Sequence, residues 1–131
     1  MKIRADALAA LVEHARQEAP LECCGLLIGR DNVVDECIRT RNINASDMSY
    51  RVDPADHFAT VKRVRREGRT ILGAYHSHPR TPAVPSPTDL AEAHYDDFLY
   101  VIVSLSDECP DIRGYRLERG SFVAARLIAV P

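Results

Sequence analysis

The 131-residue chain has no apolar run approaching the roughly 18 residues that a membrane-crossing helix needs. Its opening, "MKIRADALAALVEHARQEAP", lacks the unbroken apolar stretch and small-residue cleavage site of a secretory signal, so a cytoplasmic location is expected. Lysine is nearly missing: it occurs only at Lys2 and Lys62, and arginine carries the rest of the basic charge. Net charge is only -2 at pH 7, so no global field favours nucleic acid or an anionic membrane as partner. There is no internal repeat, no low-complexity tract and no dividing linker, and the length suits one domain over residues 1–131. None of the four cysteines sits at the spacing of a zinc knuckle or a redox pair. They read as small, reduced, buried side chains, with Cys23, Cys24 and Cys37 in or near apolar runs.

What is present is the pattern of a mixed fold. Residues 5–18 place Leu8, Leu11, Val12 and Ala15 on one face at the helical period, and Pro20 limits that helix. "CCGLLIGR" (Cys23 to Arg30) ends in a turn and predicts a buried strand, with "VVDECIRT" as its hairpin partner. "SYRVD" predicts another short strand. Asp53 and Pro54 open a second helix, along which Phe58, Val61 and Val64 recur, and Gly68 suits its end. Its outer face, with Lys62, Arg63, Arg65 and Arg66, reads as solvated. "TILGAYHSH" (Thr70 to His78) is apolar on both faces, which predicts a central strand. Ser86, Pro87 and Asp89 have the order of a helix start and predict a third helix over residues 86–97. "FLYVIVSLS" is the strongest strand, and "DIRGYRLERG" and "SFVAARLIAV" predict two more that turn at Gly120. Helices interspersed with strands that must include antiparallel pairs predict an α+β fold. It is a mixed α/β sandwich whose central, largely antiparallel sheet is flanked by about three helices.

One segment stands apart: "GAYHSHPRTPAVPSPTDL", residues 73–90. Side chains alternate along a strand, so His76 and His78 leave on the same face and Ser77 on the other. The prolines that follow stiffen the loop. That loop delivers Asp89 into the first turn of a helix, where the helix dipole favours a carboxylate. Two imidazoles and a carboxylate make three protein ligands, and zinc so held keeps a fourth position for water, the pattern of a hydrolytic site. A His-x-His pair alone more often marks packed or solvated imidazoles. Asp89 and Ser86 taken singly are a helix-dipole partner and an N-cap. Glu22, directly before an apolar strand, fits an exposed loop charge or a carboxylate projecting into a cleft.

The string "HSHPRTPAVPSPTD" has His-x-His-Pro, a spacer and Ser-x-x-Asp, with ten residues between His78 and Asp89. It resembles the JAMM motif of the MPN (Mov34/PAD-1) metalloprotease family. "PLECCGLLIGR" also matches that family's upstream segment, with Glu22 at its glutamate. The resemblance runs over nearly the whole chain and implies an MPN/JAMM-like, cytidine-deaminase-like architecture. Carried over by residue, it implies one zinc ion per chain bound by His76, His78 and Asp89. It also implies Glu22 as general base and Ser86 as stabiliser of the oxyanion. Family members hydrolyse peptide or isopeptide bonds at the C-terminus of ubiquitin-like proteins. A chain this short resembles the stand-alone prokaryotic members, which implies a ubiquitin-like or sulfur-carrier protein with a Gly-Gly tail as partner. Such a tail threads a narrow groove because glycine has no Cβ, and it can add to a sheet edge beside the zinc.

Two related readings remain beside this one. A RadC-like domain associated with DNA repair shares the spaced motif, but differs between the histidines and carries an added helical module. A non-catalytic MPN-type scaffold would lack part of the metal motif. The Pro-Cys-x-x-Cys of zinc deaminases is absent. His14, His57 and His94 read as surface or packing residues, and Tyr75 as core.

Overall fold

The computed structural model describes residues 1–131. In chain order the elements are β1 (Lys2–Arg4), α1 (Ala5–Glu18), β2 (Cys24–Arg30), β3 (Val33–Thr40), α2 (Pro54–Arg66) and β4 (Thr70–His78). They continue with α3 (Pro87–Glu92), β5 (Leu99–Ser104), β6 (Asp111–Glu118), β7 (Ser121–Ala125) and β8 (Ile128–Val130). All strands form one sheet in the order β7-β6-β5-β4-β2-β3-β1-β8. β4 runs parallel to β5 and antiparallel to β2. β2 with β3, β5 with β6 and β6 with β7 are antiparallel hairpin pairs, and β1 lies parallel between β3 and β8. This is the mixed, largely antiparallel sheet, with helices over both faces, that the patterning predicts.

Alternation along the strands divides the interior. One face carries α1, whose Ala7, Leu11 and Ala15 pack with Leu27, Tyr75, Leu99, Val101 and Val103 in the main core. On the other face Leu26, Ala74, Tyr100 and Leu117 form a smaller cluster. There Pro54 and His57 of α2 face Leu26 and Ala74 across a cavity of about 230 Å³. β5, buried at every position, is flanked so tightly that a Cβ on Gly73 of β4 would lie 1.9 Å from the Leu99 carbonyl oxygen. Gly25 of β2 likewise leaves room for the Tyr75 ring, whose hydroxyl reaches His14 Nδ1 at 2.7 Å. His14 is therefore a satisfied core histidine on α1.

Several local expectations differ from what forms. "SYRVD" is not a strand; its only sheet-like contact is a single bridge between Asn42 and Val52. The loop keeps its own hydrogen bonds there and never joins the ladder. α3 stops at Glu92, so the segment to Asp97 and His94 lie beyond it. No basic side chain sits in its last turn to offset the carbonyl end of the dipole, and two aspartates follow. Phe58 does not join the buried stripe of α2: it is 64% exposed under the Lys62 ammonium, while Thr60 and Val64 are buried. β1 is an additional strand, too short to show a period, and the single strand expected over "SFVAARLIAV" breaks at Arg126 and Leu127 into β7, on β6, and β8, on β1. Cys23 and Cys24 are buried, but Cys37 is half-buried and Cys109 exposed. Nor does a sheet edge lie beside the histidines. The free edges are β7 and β8, whereas β4 is closed in by β5 and β2. No helix is long and apolar enough to cross a membrane.

Candidate active site

The end of β4 carries the site. His76 and His78 point away from α1 and are 3% and 4% exposed. Ser77 points the other way, where its hydroxyl oxygen accepts the Cys23 backbone N–H at 2.8 Å. The Ser77 N–H in turn donates to the Cys23 carbonyl at 3.1 Å. Because Cys24 pairs with His76, this pins Glu22 across from His78, just outside the start of β2.

The proline-rich loop is held by three of its own carbonyls. Pro82 O accepts from His78 Nδ1 at 2.8 Å, Thr81 O from the Ser104 hydroxyl at 2.6 Å, and Ala83 O from the Tyr115 hydroxyl at 2.6 Å. The loop ends in a capping box: Ser86 Oγ accepts from Asp89 N at 3.0 Å, and Asp89 Oδ2 accepts from Ser86 N at 2.9 Å. So anchored, Asp89 turns inward and is 2% exposed.

Three ligand atoms meet. His78 Nε2 lies 2.9 Å from Asp89 Oδ2, His76 Nε2 lies 3.2 Å from the same oxygen, and the two Nε2 atoms are 3.3 Å apart. The donor set passes a test for a metal ion. A carbonyl has no proton, so His78 Nδ1 must donate to Pro82, and in neutral His78 the Nε2 lone pair then faces a carboxylate oxygen. That contact is relieved either by a proton on Nε2 or by a metal cation shared between the two atoms. Ligands about 2.0–2.1 Å from a tetrahedral ion lie about 3.3 Å from one another, matching the spacing seen. Two further buried oxygens, Asp89 Oδ1 and Glu22 Oε1, have no hydrogen-bond partner. The His78–Pro82 bond is also the outer contact that fixes a ligand's tautomer and ring.

Charge follows the same geometry. Burial works against the Asp89 carboxylate, but the bonds from His76 and His78 hold it well below the usual carboxylate range. Burial lowers His76. Burial also pulls on His78, but the Asp89 bond and the Pro82 carbonyl outweigh it and raise it. Glu22 is 5% exposed, and its carboxyl is pushed up to about 7, chiefly by burial; His78 pulls it down while Asp89 and Asp47 push it up. A carboxylate so poised can exchange a proton near neutral pH.

Two contributors escaped the sequence reading. Tyr50, 7% exposed, lies flat on His76 with ring centroids 4.2 Å apart and an interplanar angle of 17°. The cavity of α2 opens beyond it, lined also by His57 and His94, which do not join the metal group. Asn42 donates through Nδ2 to the Glu22 carbonyl at 3.0 Å. Only one signal pointed here: the connection from Thr40 to Pro54 exceeds the length of about 12 residues above which loops are usually functional.

Residues 4–118 match the family of prokaryotic homologues of the JAB domain. The CysO-cysteine peptidase of Mycobacterium tuberculosis is 34% identical over 122 residues, covering 91% of this chain and 84% of that one. A probable TtuB-protein conjugate cleaving protease of Thermus thermophilus is 38% identical over 112 residues, covering 85% and 72%. A desampylase of Haloferax volcanii is 32% identical over 111 residues, covering 79% and 80%. Among solved structures, a Desulfitobacterium hafniense protein superposes with a TM-score of 0.91 at 30% identity, covering 98% of this chain and 92% of that one. A structure described as a metalloprotease-like JAMM zinc site in the proteasome and signalosome gives 0.64 at 26% identity, covering 100% and 98%. The chain belongs to the prokaryotic JAB-domain family, and the class that the fold and these relatives define is the JAMM-type peptidase.

Proposed function

We propose that residues 1–131 form one catalytic domain that cleaves after the C-terminal Gly-Gly of a ubiquitin-like or sulfur-carrier protein. One zinc ion per chain is held by His76, His78 and Asp89. The observation that carries this reading is the buried convergence of those three ligand atoms beside a buried, unpartnered Glu22 carboxylate. Zinc, when bound, supplies a Lewis acid that polarises the scissile carbonyl and makes water nucleophilic near neutral pH. Glu22 takes the proton of the attacking water and hands it to the leaving amine, a role worth about 10²–10⁴-fold in rate. Ser86 uses its oxygen to accept from Asp89 N, which leaves its hydroxyl hydrogen free to donate to the developing oxyanion. One such donor is worth about 3–4 kcal/mol of barrier.

The similarity to a CysO-cysteine peptidase, a probable TtuB-protein conjugate cleaving protease and a desampylase supports this substrate class. With no free sheet edge at β4, an extended tail lies against the flanking loops. The cavity beyond Tyr50 offers room for a side chain upstream of the two glycines. The test is incubation of zinc-loaded protein with ubiquitin-fold proteins extended past Gly-Gly, with and without chelator, read by intact mass. Loss of the extension only when zinc is available is expected. Intact substrates throughout, or cleavage that chelator leaves untouched, would overturn the reading.

A further inference from the structure

Glu22 stands outside the sheet ladder, yet both of its backbone groups are held. Its N–H donates to Ser46 O at 2.8 Å, and its carbonyl accepts from Asn42 Nδ2 at 3.0 Å. Both partners belong to the long loop between β3 and α2. The Asn42 carboxamide is used fully. Nδ2 also donates to Ser49 O at 3.1 Å, and Oδ1 accepts from Asn44 N at 3.1 Å and Arg51 N at 3.0 Å. Ser49 and Arg51 flank Tyr50, the residue stacked on His76. One side chain thus ties the segment carrying Glu22 to the segment carrying the cover of a metal ligand.

We infer that Asn42 is a positioning residue: through its two donor bonds it fixes Glu22 relative to the His76–His78–Asp89 cradle. It touches neither the ligand atoms nor the reacting groups. The inference rests on Glu22 acting as the base. Its two halves are separable in chemistry. The acceptor oxygen builds the loop, and the amide nitrogen reaches across to Glu22. Asn42→Asp keeps an oxygen for Asn44 N and Arg51 N but sets a second oxygen against the Glu22 and Ser49 carbonyls. Asn42→Ala removes both functions.

The experiment compares wild type, Asn42→Asp and Asn42→Ala. It measures kcat and KM on a cleavable Gly-Gly conjugate, zinc affinity by chelator competition, and amide hydrogen exchange in the metal-free protein. For Asn42→Asp the expectation is a kcat at least tenfold lower, with KM and zinc affinity within about twofold of wild type. The Glu22 amide should exchange at least tenfold faster while β4 amides stay protected. Wild-type kcat in Asn42→Asp overturns the inference, whatever Asn42→Ala does. So does a loss of kcat matched by an equal loss of zinc affinity or of protection in β4, because either reports general loosening. If wild type itself cleaves nothing, the proposed function fails, and the exchange data still decide whether Asn42 holds Glu22.

Discussion

Replacing Glu22 with glutamine should make the metal-free protein more stable and the enzyme nearly inert. The carboxyl is buried, and its folded value stands at about 7 against an ordinary 4.5. Between those two values the unfolded chain has released its proton while the folded chain retains it. Stability from this group is therefore complete below about pH 4.5 and is lost as pH climbs through about 7. At about 1.36 kcal/mol per unit the loss has an upper limit of about 3 kcal/mol, and solvent screening reduces it to about 2. Glutamine has the same shape and never ionises, so it removes the loss. Thermal unfolding of the metal-free proteins should show Glu22→Gln melting about 6–10 °C above wild type at pH 8, and within a degree or two of it at pH 4. Metal must be stripped for this comparison, because a dication beside the carboxylate reverses the local electrostatics. In the zinc-loaded state the variant should keep its metal and lose about 10²–10⁴-fold in kcat. A melting difference that ignores pH would show that Glu22 does not ionise in a buried site. Undiminished turnover would remove it from the chemistry.

Three other perturbations follow from the geometry. Saturating zinc at about 100 times its Kd should stabilise the wild type by about 2.7 kcal/mol, and Asp89→Asn should abolish that gain, as read by thermal shift with and without chelator. Tyr50→Phe keeps the ring on His76 and should bind zinc as wild type does; Tyr50→Ala opens a void and should unfold about 3 kcal/mol more easily, with weaker zinc binding by competition. Gly73→Ala drives a methyl into the Leu99 carbonyl and should cost about 3 kcal/mol in denaturant titration.

Much of this was legible in the residues, for identifiable reasons. α1, β2, β3 and β5 carry enough apolar positions at one period to declare themselves. His76, His78 and Asp89 were findable because strand alternation and a helix start are local rules that fix where those side chains point. What stayed hidden depends on partners far along the chain. β1 exists only by pairing with β3 and β8, and that same pairing draws Ile128–Val130 away from β7. Phe58 looked like a core position because spacing alone says nothing about whether the sheet reaches that side of α2. Tyr50 and Asn42 sit in a polar loop with no period, and their importance comes from Glu22 and His76, more than twenty residues away in the case of the histidine. Ser77 reads as filler between two histidines until Cys23 is seen to donate to it.

The enclosure of β4 between two neighbours has a consequence for how relatives diverge. With no open flank, β4 offers a guest chain no backbone pairing, so under the proposed function discrimination among guests falls to the bends on either side of Glu22 and Asp89. Those bends can lengthen, shorten or change character without disturbing the strand that carries His76 and His78. Chains sharing one reaction can therefore part ways over what they cut.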